Sequence, residues 1–451
     1  MPPDALESIS GWGRYPVARS RLVHPTHLGQ LVLPPTGTMI CRGEGRSYGD
    51  AAISSEGVVV VTSELRAVIS FDSAQGLLVA EAGMSIADIL RTFVPMGWFP
   101  GVTPGTKHVS LGGAVAADVH GKNHHRDGSF SNFVRWLELI VADGSVVQCS
   151  PDRHADLFWA TAGGMGLTGI ITKVAVQLVP IESSAIVAQH FQAPDLETTF
   201  RWLEDVEHDD RYTVAWIDCL TRGRRMGRSI VMRGHHARHD ELPVGATDVL
   251  AVPKRFELRL PIDLPSFVLN PLTVAVFNQL YYMTQGRKSG PFLVDYDRFF
   301  YPLDAVGDWN RLYGARGFLQ YQCMVPDRHA ADGMRRVLEQ VVRSRRASFL
   351  AVLKRFGPAS PGPLAFPGKG LTLALDLPMT GDDALRLLDE LDEIVIGLGG
   401  RVYLAKDARL SAARMRRMYP RLDEWLAVKH AVDSHDRFGS DLSRRLQLGH
   451  V

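Results

Sequence analysis

The distribution of apolar and polar positions divides the chain into stretches of different character. Over the first 180 residues, short β-branched runs alternate with glycine turns, which predicts strands at Val58–Thr62, Gly76–Glu81, Arg135–Val141 and Ile170–Pro180. Asp143-Gly144 is expected to turn a hairpin into Ser145–Cys149, because glycine accepts a positive φ. Ser150-Pro151-Asp152 reads as a helix start, and that helix would carry Leu157, Phe158 and Ala160 to a stop at Gly163-Gly164. Further on, Tyr212–Leu220 and Arg228–Arg233 read as strands, followed by a His/Arg-rich and then a Pro-rich stretch. From Gly317 the periods separate cleanly. Gly317–Pro326, Ser348–Lys354, Gly370–Pro378 and Arg401–Lys406 alternate as strands, while Arg328–Arg343 and Asp382–Leu398 are helical. The order β-α-β-β-α-β predicts an antiparallel sheet with helices on one face. A helical region near Ser411–Val432 follows.

Composition narrows the function classes. With 45% hydrophobic residues and Lys+Arg 50 against Asp+Glu 49, the chain is neither disordered nor an electrostatic match for nucleic acid. Cys41, Cys149, Cys219 and Cys323 form no CxxC pair, so neither a zinc site nor a disulfide scaffold is readable. Met1-Pro2-Pro3-Asp4 lacks the pattern of an export signal, and the most apolar stretch, Leu264–Met283, is interrupted by Pro265, Asn270, Pro271, Asn278 and Gln279. The expectation is a cytoplasmic protein without a spanning helix, in peripheral contact with a membrane if that stretch meets lipid.

Three glycine clusters suggest a phosphate cradle. They are Gly43-Glu44-Gly45-Arg46-Ser47-Tyr48-Gly49-Asp50, Gly105 through Ser110-Leu111-Gly112-Gly113, and Gly163-Gly164-Met165-Gly166-Leu167-Thr168-Gly169. Glycine lets successive N–H groups turn toward an anion. Gly164, Gly166 and Gly169 match GxGxxG by spacing, but a helix precedes them and a strand follows, the reverse of the nucleotide-binding order. A Rossmann site is rejected. No P-loop occurs either, since Asn123 follows Gly121-Lys122.

The Arg46-Ser47-Tyr48-Gly49-Asp50 loop, the LGGAVAADVHG run to His120 and GGMGLTGIIT together resemble the FAD-binding half of the vanillyl-alcohol-oxidase-type flavoproteins. Within them, His120-Gly121-Lys122-Asn123-His124-His125, the strand Gly317 to Gln322, Lys354-Arg355-Phe356-Gly357-Pro358 and Ala405-Lys406-Asp407 resemble the decaprenylphosphoryl-β-D-ribose 2-oxidase family, the flavin subunit of an epimerase that makes the arabinose donor for cell walls. The likeness extends from Trp12-Gly13-Arg14 to Tyr419-Pro420-Arg421 and Trp425. It implies an α+β fold with an FAD-binding domain at 1–184, an antiparallel substrate domain at 185–400 and a segment, 401–451, that returns to the first domain. It implies noncovalent FAD, because Arg46 stands where covalent relatives carry the attached histidine. The implied cofactor contacts are Arg42, Gly43, Glu44, Gly45, Arg46, Ser47, Tyr48, Gly49, Gly105, Ser110, Gly112, Gly113, Ala117, His120, Ile171 and Tyr403. Catalytic roles fall to Lys406, His120 and Tyr48, and substrate contacts to Lys122, Trp216, Gln320, Gln322, Lys354, Thr372 and Ala374. The reaction implied is oxidation of the 2-hydroxyl of a polyprenylphosphoryl ribose to a ketone, with a separate NAD(P)H-dependent reductase completing the epimerisation.

Residue chemistry alone leaves these roles open. A lysine at a strand end is ordinarily a solvated one, and strict alternation sets Lys406 on the opposite face from Tyr403 unless the strand ends or bulges. Gln320 and Gln322 share a face, with Leu319, Tyr321 and Cys323 opposite; Leu371, Leu373, Leu375 and Leu377 form an apolar stripe that leaves Thr372, Ala374 and Asp376 on the other side. Relatives carry an asparagine and a cysteine where Thr372 and Ala374 stand, so the pocket wall differs. His235, His236 and His239 at helical spacing suggest a metal, but the surrounding arginines argue against a cation there. No metal is expected. Two other functions remain: an FAD-dependent alditol, aldonolactone or glycoside oxidase, and a flavoprotein-like scaffold that binds a lipid or partner without turnover.

Overall fold

Four consecutive valines, Val58–Val61, form a strand covered on both faces and paired in parallel with Val17–Val23 and Met39–Arg42. A continuous β-branched run is what such a doubly buried strand requires. The computed structural model describes residues 6–449 except 35, 56, 205–209, 257, 266–269, 289, 347 and 349, so the N-terminal Met1–Asp4 and parts of the Leu264–Met283 and Ser348–Lys354 stretches lie outside the described residues. The valine strand belongs to a four-stranded sheet, and a second, six-stranded sheet runs from Val68–Asp72 through Leu77–Glu81, Ile170–Pro180 and Val134–Ile140 to Val146–Cys149. The Asp143-Gly144 hairpin forms as expected, with Gly144 at φ +89°.

The helix expected at Ser150 starts later. Ser150 Oγ accepts from the N–H groups of Asp152 (3.3 Å) and Arg153 (3.0 Å), closing a local turn, and the helix runs Ala155–Thr161. The serine caps a turn because its own side chain competes with the helix.

Residues beyond 184 build an eight-stranded sheet. Its order is Phe292–Asp295, Ala185–Ala193, Ser229–His236, Tyr212–Ile217, Ala351–Phe356, Gly370–Pro378, Phe318–Pro326 and Arg401–Val402. The expected β-α-β-β-α-β unit is present. Leu371, Leu373, Leu375 and Leu377 are fully covered by the helices Ala330–Ser344 and Asp382–Gly397, packing with Val337, Leu338, Leu391 and Val395. Each buried leucine is worth about 1.5–3 kcal/mol. The stripe therefore fixes the register, and with it the side on which Gln320, Gln322 and Ala374 emerge.

One expectation is corrected here and two others are given their detail. The strand expected to reach Lys406 ends at Val402, and Leu404–Lys406 is a 3₁₀ turn, with Lys406 N–H donating to Tyr403 O at 3.0 Å. That ending lets Tyr403 and Lys406 face one site despite the alternation. His235 and His236 lie in a strand on opposite faces rather than on a helix; His235 pairs with Glu241, and among the described residues no cluster of three metal ligands occurs. The Ser411–Val432 region is two helices, Ala412–Met418 and Leu422–Val432, because Pro420 cannot continue the first.

A third terminal helix, Asp441–Leu446, fastens the tail to the first glycine loop. Arg445 meets Asp50 in that loop (2.7 Å) and Asp407 beside Lys406 (2.8 Å). Tyr48 N–H also donates to Ala405 O at 2.9 Å, and Met39 N–H to Arg437 O at 2.7 Å. Removing one partner of a buried pair leaves the other charge stranded, at a cost of about 3–5 kcal/mol. Arg445→Met should therefore lower the thermal midpoint by several degrees and weaken retention of the cofactor discussed below; an unchanged midpoint would contradict this role.

Candidate active site

One cavity of about 360 Å³ lies between the glycine loops and the polar face of the eight-stranded sheet. All three glycine clusters line it. They come together because glycine removes side chains where backbone meets backbone. A Cβ on Gly43 would sit 2.1 Å from Ser110 Oγ, and that hydroxyl in turn accepts from Gly113 N–H at 3.2 Å. At Gly105 an added Cβ meets no atom within 4 Å. The wall there is open backbone.

Most of the residues singled out from the sequence border this cavity. Gly43, Glu44, Gly45, Arg46, Ser47, Tyr48, Gly105, Ser110, Gly112, Gly113, Ala117, His120, Ile171 and Tyr403 line it, as do Lys122, Trp216, Gln320, Gln322, Lys354, Ala374 and Lys406. Arg42, Gly49 and Thr372 do not line it. The Arg42 guanidinium turns away to donate to Ser10 O (2.8 Å). Gly49 is pressed under the tail, where a Cβ would come within 2.0 Å of Asp407 O. Thr372 stands behind Gln322, accepting from its amide at 3.2 Å. Tyr281, Met232 and Trp309 also line the cavity. Only Tyr281 carried a sequence signal, as part of the apolar Leu264–Met283 stretch.

Cations dominate the electrostatics. Burial, and the neighbouring Lys354, push the Lys122 ammonium down to about 7; burial pushes Lys354 down to about 8. Lys406 is also lowered by burial, opposed by Asp376, and its ammonium lies 3.7 Å from the Tyr48 ring centroid. Asp376 itself is raised by burial and accepts from Gln320 Nε2 and Tyr313 Oη. His120 is held well below its usual value by burial and by Lys354. Arg46 stacks on Trp12 at 3.9 Å, and its buried Nε has no partner among the described residues. An unpartnered guanidinium donor, an open glycine wall and three desolvated lysines fit an anionic ligand with phosphate groups, and so fit FAD. Arg46, Gly105, Ser110 and Gly113 would hold such a group's anionic portion, and Lys406, Tyr403 and His120 its redox end.

Comparison with known proteins agrees with this geometry. Residues 37–150 match the family of FAD binding domains, which makes this a flavoprotein-type site. Over 99% of its length the chain is 37% identical to the decaprenylphosphoryl-β-D-ribose oxidase of Mycolicibacterium smegmatis, covering 98% of that protein. An uncharacterised protein of Streptomyces coelicolor is also 37% identical, over 79% of this chain and 97% of its own length. Cytokinin dehydrogenase 1 of Arabidopsis thaliana is 30% identical over only 36% of the chain and 28% of the relative. The chain belongs to the decaprenylphosphoryl-β-D-ribose oxidase family, with an α+β fold of the vanillyl-alcohol-oxidase type and FAD as its cofactor.

The open wall at Gly105 gives a direct check. Gly105→Val has room in the protein alone, so thermal stability without cofactor should be unchanged while the FAD dissociation constant rises at least about tenfold, equivalent to 1.4 kcal/mol. Equal affinity would place the cofactor elsewhere.

Proposed function

We propose that the protein oxidises the 2-hydroxyl of a polyprenylphosphoryl ribose to a ketone, as the first half of an epimerisation finished by a separate NAD(P)H-dependent reductase. The observation that carries this reading is the convergence of Lys406, Lys354 and Lys122 with Gln320 and Gln322 on one cavity, in a chain that matches a ribose oxidase from end to end. Bound FAD would supply the acceptor for the hydride leaving the carbinol carbon. Lys406 Nζ, with its affinity for a proton weakened by burial, takes the hydroxyl proton or hydrogen-bonds the oxygen as the C–H bond breaks. Tyr48 supports Lys406 with its ring face. Gln320, Gln322, Lys354 and Lys122 orient the sugar, and Trp216 gives it an apolar wall. Residues 1–184 serve the cofactor, 185–400 the substrate, and 401–451 carry Lys406 back to the first part. Ala374 leaves that part of the wall bare, which favours a related polyprenyl sugar as second candidate.

Anaerobic mixing with a panel of polyprenylphosphoryl sugars, polyols and lactones should bleach the flavin band with the ribose compound and not with the lactones. Lys406→Met should keep bound FAD yet slow bleaching by about 10²–10⁴-fold, the usual range for a positioned acid–base group. A rate within a few fold of the native one would remove Lys406 from the chemistry.

Contact with a membrane belongs to the same reading. The Pro271–Gly286 helix buries Val274, Asn278 and Tyr282, sets Tyr281 into the cavity wall and exposes Leu272, Val276, Phe277, Leu280 and Met283 on its other side. It contains no charged residue and is followed by exposed Arg287 and Lys288, a combination suited to an anionic lipid surface. Among the described residues no helix is long and apolar enough to cross a membrane. Replacing Leu272 and Leu280 with glutamate should abolish flotation with anionic vesicles and leave FAD content intact; undiminished flotation would count against this surface.

A further inference from the structure

Thr372 lies outside the lining of the active-site cavity, yet its hydroxyl determines the polarity of a hydrogen-bond chain that ends on a lysine in the site. The Thr372 Oγ1 hydrogen goes to Cys323 O at 2.8 Å. Whatever faces that oxygen at 3.2 Å must then donate, which orients the Gln322 amide with its nitrogen, rather than its oxygen, toward Thr372. The same nitrogen lies 3.0 Å from His120 Nε2, so Nε2 must present a lone pair. The ring is buried and faces Lys354, Lys406 and His124, and among the described residues no carboxylate acts on it to stabilise a positive imidazolium. It is therefore neutral, with its proton on Nδ1. Nδ1 lies 3.3 Å from Lys354 Nζ. An N–H directed at that nitrogen requires a lone pair there, which an ammonium lacks.

We propose that Thr372, acting through Gln322 and His120, is a positioning residue that holds Lys354 as an uncharged amine in the substrate pocket. The inference rests on the preceding reading for the meaning of the pocket, but its logic needs only the hydrogen-bond chain. Burial by itself brings Lys354 down to about 8, and a partner that donates to the amine lowers it further. The ionisable groups on which a charged Lys354 bears, Lys122, Lys406 and His124, are all basic and are all lowered by it, so its charge is disfavoured by every one of them. An uncharged Lys354 can donate to a sugar hydroxyl without adding its own charge to a cavity already lined by Lys122 and Lys406. The residue that the family resemblance offered as a substrate contact thus acts at one remove, on a proton.

The test is ¹⁵N-histidine NMR of the FAD-loaded protein, with His120 assigned through His120→Gln. At about pH 9 the ring should be protonated on Nδ1 and bare on Nε2. As the pH falls Lys354 charges, the ring proton moves to Nε2, and the midpoint should lie below 8; Lys354→Met should remove the transition. Thr372→Val frees the Gln322 amide to turn, and should raise the midpoint by about one pH unit, a tenfold gain in proton affinity. Thr372→Ser should leave it where it was. A native ring protonated on Nε2 throughout, a Thr372→Val midpoint equal to the native one, or a serine variant displaced as far as the valine would each overturn the proposal. No substrate is used, so a protein that oxidises no sugar would defeat the proposed function while leaving this result readable.

Discussion

Taking lysines out of water costs several kcal/mol per charge unless something nearby compensates, and here Lys122, Lys354 and Lys406 are gathered around one cavity, with the buried Asp376 opposing the burial of Lys406. All three respond as electrostatics requires, by weakening their hold on the proton. The arrangement is strained by its own chemistry until an anion arrives. A pyrophosphate, the negative charge gained on oxidation of the substrate, or a phosphorylated head group would each relieve it. Arg46, held over Trp12 with an Nε that has no partner among the described residues, adds positive charge at the glycine end.

The scaffold maintains this cost by packing elsewhere. The leucine stripe of Gly370–Pro378 leaves that strand one way to face, and the polar side is thereby directed at the glycine loops. Lys406 reaches the cavity because its strand stops at Val402 and a 3₁₀ turn follows. That turn is secured from behind by Arg445, which lies 395 residues along the chain from Asp50 and holds it and Asp407 together. The first glycine loop and the turn that carries Lys406 thus share one anchor.

The alternating strands and amphipathic helices after Gly317 were legible from the sequence, since period two and period 3.6 differ plainly over nine to sixteen residues. The glycine clusters were legible as a phosphate cradle, though only the resemblance supplied FAD and the residue roles. What could not be read depends on tertiary competition. Ser150 satisfied two N–H groups in a turn instead of starting a helix. Within the cradle motif the Arg42 guanidinium turns to Ser10 and the Gly49 backbone is pressed against Asp407, because motif position fixes neither side-chain direction nor the packing of the chain above it. Tyr281 and Trp309 reach the cavity from segments with no chemical motif. The proton on His120 is invisible in any pattern, as it follows from a hydroxyl on another strand.

The claim on which the account depends is that this cavity's positive charge acts on the cofactor it holds. Its most direct measurement is the two-electron midpoint potential of bound FAD, compared with free FAD and with the Lys406→Met protein. The account predicts a bound potential higher by at least about 30 mV, a tenfold preference for the reduced form. It predicts that much of the rise disappears without Lys406. A bound potential at or below that of free FAD would contradict it.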